Sequence, residues 1–361
     1  MIKDLLFIGP LKDGSTSRSR LNALKELQIN VFEIDTSNWL SSSYWFINSF
    51  IQRTYLSLSV LKINKKIKNS INNQYFQIIW IEKGEYIYPS TLKLAKRKNI
   101  FLINYNTDNI FLSKGNFWLH NLGIKFYNLY LTTNRLNVID IKVKYNINVF
   151  RVSMGYDKNF EDTNFKFNQK IYDIVFIGHW EPHTEEYIEL LYNNGLNIKI
   201  WGHNWSKANN PAFRNIKPLE QKFYIETISK AKIALCFLSR WNKNESTGRS
   251  FEIPAIGSFI LAQKTLEHVI IYDKYSNAIL FNNKNELLQK VKYFLKNNDE
   301  REALAIELNR LIKNYPLSWQ DNLKREWPII LNYYNKNLNI KMDNFLWEGY
   351  RDGILYNSHD Q

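Results

Sequence analysis

The chain holds one cysteine, Cys236, so an internal disulfide is excluded, and its setting in the apolar run KIALCFL reads as a buried, inert thiol. Long apolar runs are missing as well, since none reaches the roughly 18 residues that a membrane-crossing helix needs. The opening stretch MIKDLLFIGP is interrupted by Asp4 too early for a secretory signal, and a cytoplasmic location is expected. Short-period repeats are absent, which removes solenoids from consideration. Acidic residues are scarce beside basic ones, 34 against 48, and the formal charge is +14 over 361 residues. Such an excess predicts attraction to something acidic: a nucleic acid, an anionic membrane surface or a phosphorylated small molecule. A content of 45% hydrophobic and 15% aromatic residues leaves little room for extended disorder, and the length suits two cores.

What is present is an alternation. DLLFIG reads as a strand, PLKDGSTSRSR as a polar loop and LNALKELQI as a helix, followed by the strands NVFEID, FQIIWIEKG and NIFLINYNTD, with the basic helix STLKLAKRK between the last two. The pattern restarts with the strand YDIVFIGHW, the helix EEYIELLYNNGL, the strand NIKIWGHNW, the helix FYIETISKA and the strand KIALCFL. It closes with SFEIPAIG, the strand SFILA and the helices NELLQKVKYFLKN and DEREALAIELNRLIKNY. Near-continuous apolar strands alternating with helices predict parallel sheets covered on both faces. The aperiodic polar stretch from Phe150 to Gln169 marks the joint. The division is residues 1–152 as the first Rossmann-like unit, 153–170 as linker, 171–325 as the second unit and 326–361 as a helical tail lying back over the first. Two doubly wound domains of this kind, facing each other across a cleft, bind ligands at the carboxyl ends of their strands.

Several residues fall at those ends. Gly178 ends the first strand of the second unit and permits close approach of a phosphate or ring; His179 and Trp180 follow. His179 and His183 stand four apart, but Pro182 between them argues against a continuous helix and no carboxylate-rich companion follows, so no metal is expected. Gly202, His203 and Trp205 end the next strand beside them. After KIALCFL, Thr247, Gly248, Arg249 and Ser250 lead into a short helix closed near Gly257. Arg249 offers a fork of donors to phosphate oxygens, and Glu252 offers two acceptors to a vicinal diol such as ribose. The same spacing equally suits a local ion pair on one helix, and spacing alone leaves both readings open. In the first unit Gly14, Ser15 and Thr16 lie in the loop between strand and helix, and Asp108 stands at a strand's end as candidate base for an acceptor hydroxyl or as a turn-forming cap.

The segments DIVFIGHWEPHTEEYIELL, GLNIKIWGHNW and KIALCFLSRWNKNESTGRSFEIPAIGSFILAQKTLEH, in that order, resemble the CgeB-like glycosyltransferases, whose second half is a glycosyl transferase family 1-type domain. NELLQKVKYFLKNNDEREALA extends the likeness, and FIGPLKDGSTSRSRLNALKEL, YNTDNIF and VSMGYD carry it loosely into the first unit, over about residues 1–325. The resemblance implies the GT-B fold and a hexosyltransferase-like enzyme that uses a nucleotide diphosphate sugar, a UDP-sugar first, as co-substrate with no other cofactor. It implies that Gly178 and His179 lie by the donor phosphates or sugar, with His179 and Asp108 the catalytic candidates. By the same route Arg249 grips the diphosphate and Glu252 the ribose. No metal is implied, and no Asp-x-Asp triplet is found. The chain departs from the family where DKYSNA replaces an acidic stretch and where Asn109 follows Asp108 in place of a second aspartate; the Glu252 to Glu267 spacing also misses the Glu-x7-Glu pattern of many retaining enzymes. The expected acceptor is a hydroxyl on a glycan, glycolipid or protein in cell-surface synthesis, with the protein cytoplasmic, at the inner face of an anionic membrane. Phage-type DNA glucosylation and non-catalytic nucleotide binding are the alternatives.

Overall fold

The computed structural model describes residues 2–39, 44–111, 117–162, 170–315 and 317–335. The chain forms two compact units. The first gathers the described residues up to Ser153, together with Arg240–Asn244 and the helix that begins at Trp319; the second holds those of Met154–Ser239 and Glu245–Ser318. Residues 163–169 of the expected linker and 336–361 of the expected tail lie outside the described residues.

In unit 1 the order is β1 (Asp4–Gly9), α1 (Thr16–Lys25), β2 (Asn30–Asp35), α2 (Trp45–Thr54), α3 (Leu58–Asn73), β3 (Ile78–Glu82), α4 (Pro89–Arg97), β4 (Phe101–Asn106), α5 (Trp118–Gly123), β5 (Leu129–Thr132), α6 (Arg135–Tyr145) and β6 (Asn148–Arg151). All six strands are parallel, in the order β2-β1-β3-β4-β5-β6. The inner strands are buried on both faces while the edge strands β2 and β6 are not, and this is why the inner ones read as apolar runs. The joint read from Phe150 therefore begins inside a strand: Phe150 and Arg151 close β6, and Val152 still donates to Thr132 O at 2.8 Å.

Unit 2 runs β7 (Tyr172–Ile177), α7 (Pro182–Asn193), β8 (Ile198–Trp201), α8 (Tyr224–Ser229), β9 (Ala231–Cys236), α9 (Gly248–Ile256), β10 (Ile260–Gln263), α10 (Leu266–Tyr272), α11 (Ser276–Ile279), β11 (Leu280–Phe281), α12 (Lys284–Lys296) and α13 (Asn298–Asn314). Its parallel sheet has the order β11-β10-β9-β7-β8. In both units the first strand lies inside the sheet, with the second strand on one side and the third on the other. The chain thus reverses direction across the sheet beside β1 and beside β7, and such switch points are where open α/β sheets bind ligands.

The last helix among the described residues, α14 (Trp319–Tyr334), belongs to unit 1 and begins seven residues before the expected boundary at 326. It is fastened by a buried cation. Arg20 of α1 donates from Nε to Glu82 Oε1 at 2.8 Å, and its guanidinium lies 4.2 Å from the Tyr105 ring centre and 4.6 Å from that of Trp319. Glu82 also accepts from Trp80 Nε1 at 2.8 Å and from Ser17 Oγ at 3.2 Å, so its desolvated charge is well satisfied. Removing one member of such a pair typically costs about 3–5 kcal/mol.

Candidate functional site

The start of α9 is fixed by its own sequence. Thr247 caps it, its Oγ1 accepting from Arg249 N at 3.1 Å, while its backbone N donates to Ser250 Oγ at 3.0 Å. Gly257 ends the helix at φ 89°, a conformation suited to glycine. Pro254 sits inside the helix and has no N–H to offer the Ser250 carbonyl. The Tyr272 hydroxyl fills that vacancy, donating to Ser250 O at 2.6 Å. Ser250 itself is fully buried, with Oγ 2.8 Å from His268 Nε2, and burial lowers the His268 pKa to about 4. The first turn of α9 is thus held rigidly, and it presents Arg249 and Glu252 to the carboxyl edge of the sheet.

The facing wall is backbone. Gly178 N donates to Trp201 O at 2.8 Å, and Trp180 N donates to His203 O at 2.9 Å, stitching the loops after β7 and β8 together. A side chain at Gly202 would place its Cβ 1.8 Å from Gly178 O, and one at Gly178 would meet the Phe176 ring at 2.5 Å. At Gly202, where the obstacle is backbone, only glycine permits this approach. Between the loops and α9 lies a cavity of about 190 Å3. It is lined by Gly178 and His179, by Gly202 and His203, by Pro218, Leu219, Gln221 and Tyr224, and by Arg249 and Glu252.

The two charged residues address the cavity separately; they are not paired with each other among the described residues. Arg249 Nη1 donates to Ile177 O at 3.0 Å and the side chain also reaches the Cys236 thiol, while its Nε is buried with no hydrogen-bond acceptor. A buried donor without a partner is uncommon in native proteins and marks a place for an anion or another acceptor. Glu252 Oε2 accepts from Tyr224 OH at 2.7 Å. Burial raises the Glu252 carboxyl above the ordinary range, with the Tyr224 hydrogen bond and the Arg249 charge acting in the opposite direction. The site therefore offers a half-satisfied cationic fork and a carboxyl poised by a phenol, beside glycine loops that let a ligand come close, a set that suits an anion joined to a hydroxyl-bearing ring.

Of the residues singled out by sequence, Gly178, His179, Gly202, His203, Arg249 and Glu252 come together around this cavity. The His179 and His203 rings stack at 5.3 Å. The remaining donor-side residues stand behind the wall. Trp205 is buried and donates to Gly178 O at 3.0 Å, Trp180 Nε1 donates to Glu185 Oε2 at 2.7 Å, and Thr247 and Ser250 form the cap. His183 does not join the histidine pair: it is buried, with Nε2 3.1 Å from Leu238 O. Among the described residues no group of three His, Cys, Asp or Glu side chains could hold a metal ion. Cys236 is buried, and burial pushes its thiol pKa up.

In unit 1, Gly14 turns the chain at φ 74° into α1, and Ser15 caps that helix by accepting from Arg18 N at 3.2 Å. Thr16 is its first residue, with Oγ1 3.4 Å from Arg20 Nη2. Asp108 follows β4, its Oδ2 2.8 Å from Lys83 Nζ and its Oδ1 accepting from Asn242 Nδ2 at 3.1 Å. Burial works to raise its pKa, but the Lys83 charge and these hydrogen bonds hold it below the ordinary value. Sequence reasoning overlooked Tyr224, Gln221 and the Pro218–Leu219 pair. Tyr224 opens a stretch that reads as an ordinary amphipathic helix, and nothing in its spacing sets it apart.

Residues 184–316, which include α9 and the cavity's cationic fork, match the family described as glycosyl transferase-like. No curated protein matches the chain. Among solved structures, a glycosyltransferase from Rickettsia africae is similar over 94% of this chain and all of its own, at 13% identity and a TM-score of 0.58. The DNA-modifying enzyme β-glucosyltransferase, solved with and without uridine diphosphoglucose, is similar over 92% of this chain and 99% of its own, at 15% identity and 0.58. A putative UDP-N-acetylglucosamine 2-epimerase from Listeria monocytogenes is similar over 93% and 98%, at 12% and 0.54. The chain thus has the GT-B architecture of two Rossmann-like units and carries a glycosyl transferase-like domain.

Proposed function

We propose that the protein transfers a sugar from a nucleotide diphosphate sugar to a hydroxyl acceptor. The observation that carries this reading is the geometry of α9, where the half-satisfied Arg249 and the Tyr224-bound Glu252 address one cavity at the carboxyl end of β7. Arg249 takes the diphosphate, its orphaned Nε finding a phosphate oxygen, and Glu252 takes the ribose hydroxyls. The cationic fork then stabilises the departing nucleotide diphosphate, so the leaving group needs no metal. UDP is the nucleotide of first choice, supported by the uridine diphosphoglucose of a protein with the same fold. The order of sequence motifs supports a CgeB-like enzyme acting on a glycan or glycolipid acceptor, with Asp108 as base.

A second reading, glucosylation of DNA, draws support from the net charge of +14 and the fold shared with the DNA-modifying β-glucosyltransferase. One experiment separates these and the epimerase chemistry suggested by the putative UDP-N-acetylglucosamine 2-epimerase of similar fold. The protein is screened by thermal shift against UDP, UDP-glucose and UDP-N-acetylglucosamine, then given labelled donor with and without duplex DNA. A ligand at 100 times its Kd adds about 2.7 kcal/mol of stability. Stabilisation by UDP that Glu252→Ala abolishes, with label released or transferred, supports the main reading. Label in DNA favours the second, an epimerised donor makes the protein an epimerase, and no response to any nucleotide refutes the site.

A further inference from the structure

Unit 1 carries a surface that sugar transfer does not use. Between β2 and α3 runs a groove of about 540 Å3 with Phe32, Ile34 and Phe76 along its floor and Lys62, Lys65 and Lys66 on its rim. The one acidic residue lining it, Glu33, is paired with Lys25 at 3.0 Å. α3 buries Val60, Asn64, Ile67 and Ile71, a three-four spacing that turns Leu58, Leu61, Lys62 and Lys65 outward. Leu58 is 74% exposed, more than most surface leucines, and Leu61 is exposed beside it. α2 ends just before α3 and repeats the pattern: Phe50 is 56% exposed, and Leu56 in the connecting turn is 62% exposed. Trp118 of α5 adjoins the same corner, its Nε1 donating to Arg53 O at 2.8 Å.

Single exposed apolar side chains are ordinary, but a run of them on two successive helices, bordered by three lysines, is not. We propose that unit 1 docks on an anionic lipid surface through the α2–α3 face, with Phe50, Leu58 and Leu61 entering the acyl boundary and Lys62, Lys65 and Lys66 meeting the lipid phosphates. The charge complements an anionic bilayer, and the apolar tips lie beside the lysines, as interfacial helices require. A nucleic acid would engage the lysines but leave three aliphatic or aromatic tips in water. Among the described residues no helix is long and apolar enough to cross a membrane, so the contact is peripheral. This inference goes beyond sugar transfer and stands without it, since its test contains neither nucleotide nor acceptor.

The test is sedimentation of the full chain with vesicles of mixed phosphatidylglycerol and phosphatidylcholine, against phosphatidylcholine alone, at low and high salt. Two variants are compared, Lys62→Gln/Lys65→Gln/Lys66→Gln and Phe50→Ser/Leu58→Ser/Leu61→Ser, with circular dichroism and thermal midpoints as folding controls. Binding is expected only to the anionic vesicles and is weakened by salt. The lysine variant should lose roughly a hundredfold in partition, at about fivefold for each lysine near the surface. The apolar variant should lose about tenfold or more. Should either triple variant misfold, Lys65→Glu and Leu58→Ser, both at exposed positions, carry the same comparison. The proposal is overturned if the wild type stays in the supernatant or if both variants bind as it does. It is also overturned if the apolar variant turns a wild-type dimer into a monomer without touching vesicle binding, or if the lysine variant loses affinity for a short DNA duplex but not for vesicles.

Discussion

Arg249→Met separates ligand recognition from folding, because it should weaken the first sharply and cost the second little or nothing. Methionine keeps the length and much of the bulk of the stem and removes the guanidinium. The free protein loses the hydrogen bond from Nη1 to Ile177 O at 3.0 Å, a net contribution of about 0.5–1.5 kcal/mol. That carbonyl borders the cavity, where water can replace the lost donor. Against this, the substitution removes a buried Nε that has no acceptor, a defect of about 1–3 kcal/mol. The sum lies between a loss of about 0.5 and a gain of about 2.5 kcal/mol. Calorimetry should therefore show a thermal midpoint between about 2 °C lower and about 10 °C higher, at about 2–4 °C per kcal/mol for a domain of this size. A nucleotide diphosphate, by contrast, loses at least one charge-assisted bond of about 1.5–3 kcal/mol, so titration calorimetry with UDP should read a Kd raised about 10- to 150-fold. Destabilisation beyond about 3 kcal/mol with UDP affinity intact would show that the guanidinium is a structural strut, and the reasoning would fail.

Three further outcomes follow from the same geometry. Glu252 is raised chiefly by burial, so the stability linked to it is present at acid pH and lost as pH rises through its folded-state value; Tyr224→Phe removes a hydrogen bond that opposes the shift, and the variant's thermal midpoint should fall more steeply from acid to neutral pH than the wild type's, parallel curves being the refuting result. Gly202→Ala forces a Cβ to within 1.8 Å of Gly178 O, and one loop must yield at a cost of roughly 2–4 kcal/mol; chemical denaturation with wild-type stability would contradict it. Asp108→Asn should lower kcat for transfer about a hundredfold or more with donor KM unchanged, and an unaltered kcat would place the base elsewhere. The stability linked to Asp108, whose pKa is lowered, is present above the ordinary carboxylate range and lost as pH falls through the folded-state value.

The strands β1, β3, β4, β7 and β9 and the helices α7, α12 and α13 were legible because burial on two faces or on one stripe writes itself as a continuous run or a three-four period. β5 and β6 escaped because each has only four residues, too few to stand out as a run even in β5, which is fully buried; the edge strand β6 is in addition half exposed. α2 and α3 were not read as helices: the apolar residues of α2 and of the first turn of α3 face outward, against the rule by which helices are read, and lysines crowd the rest of α3. At the site, the glycines and the Arg249–Glu252 pair stood at strand and helix ends, where position alone makes a residue suspect. Tyr224 did not: it comes to Glu252 through the packing of α8 beside α9, across 28 residues of sequence. Trp205 and Ser250 show the converse, since residues adjacent in sequence to ligand-facing positions can serve them from behind.

The close approach of Gly178 and Gly202 also limits what the cavity can become. At Gly202 main chain is pressed on main chain, and a substitution there cannot reshape the cavity without breaking it. Variation in the bound base or sugar must therefore be written on the neighbouring side chains that line the cavity, those of His179, His203, Pro218, Leu219 and Gln221, which can change in size and polarity. A library confined to those five positions would vary the cavity while leaving Arg249 and Glu252 intact.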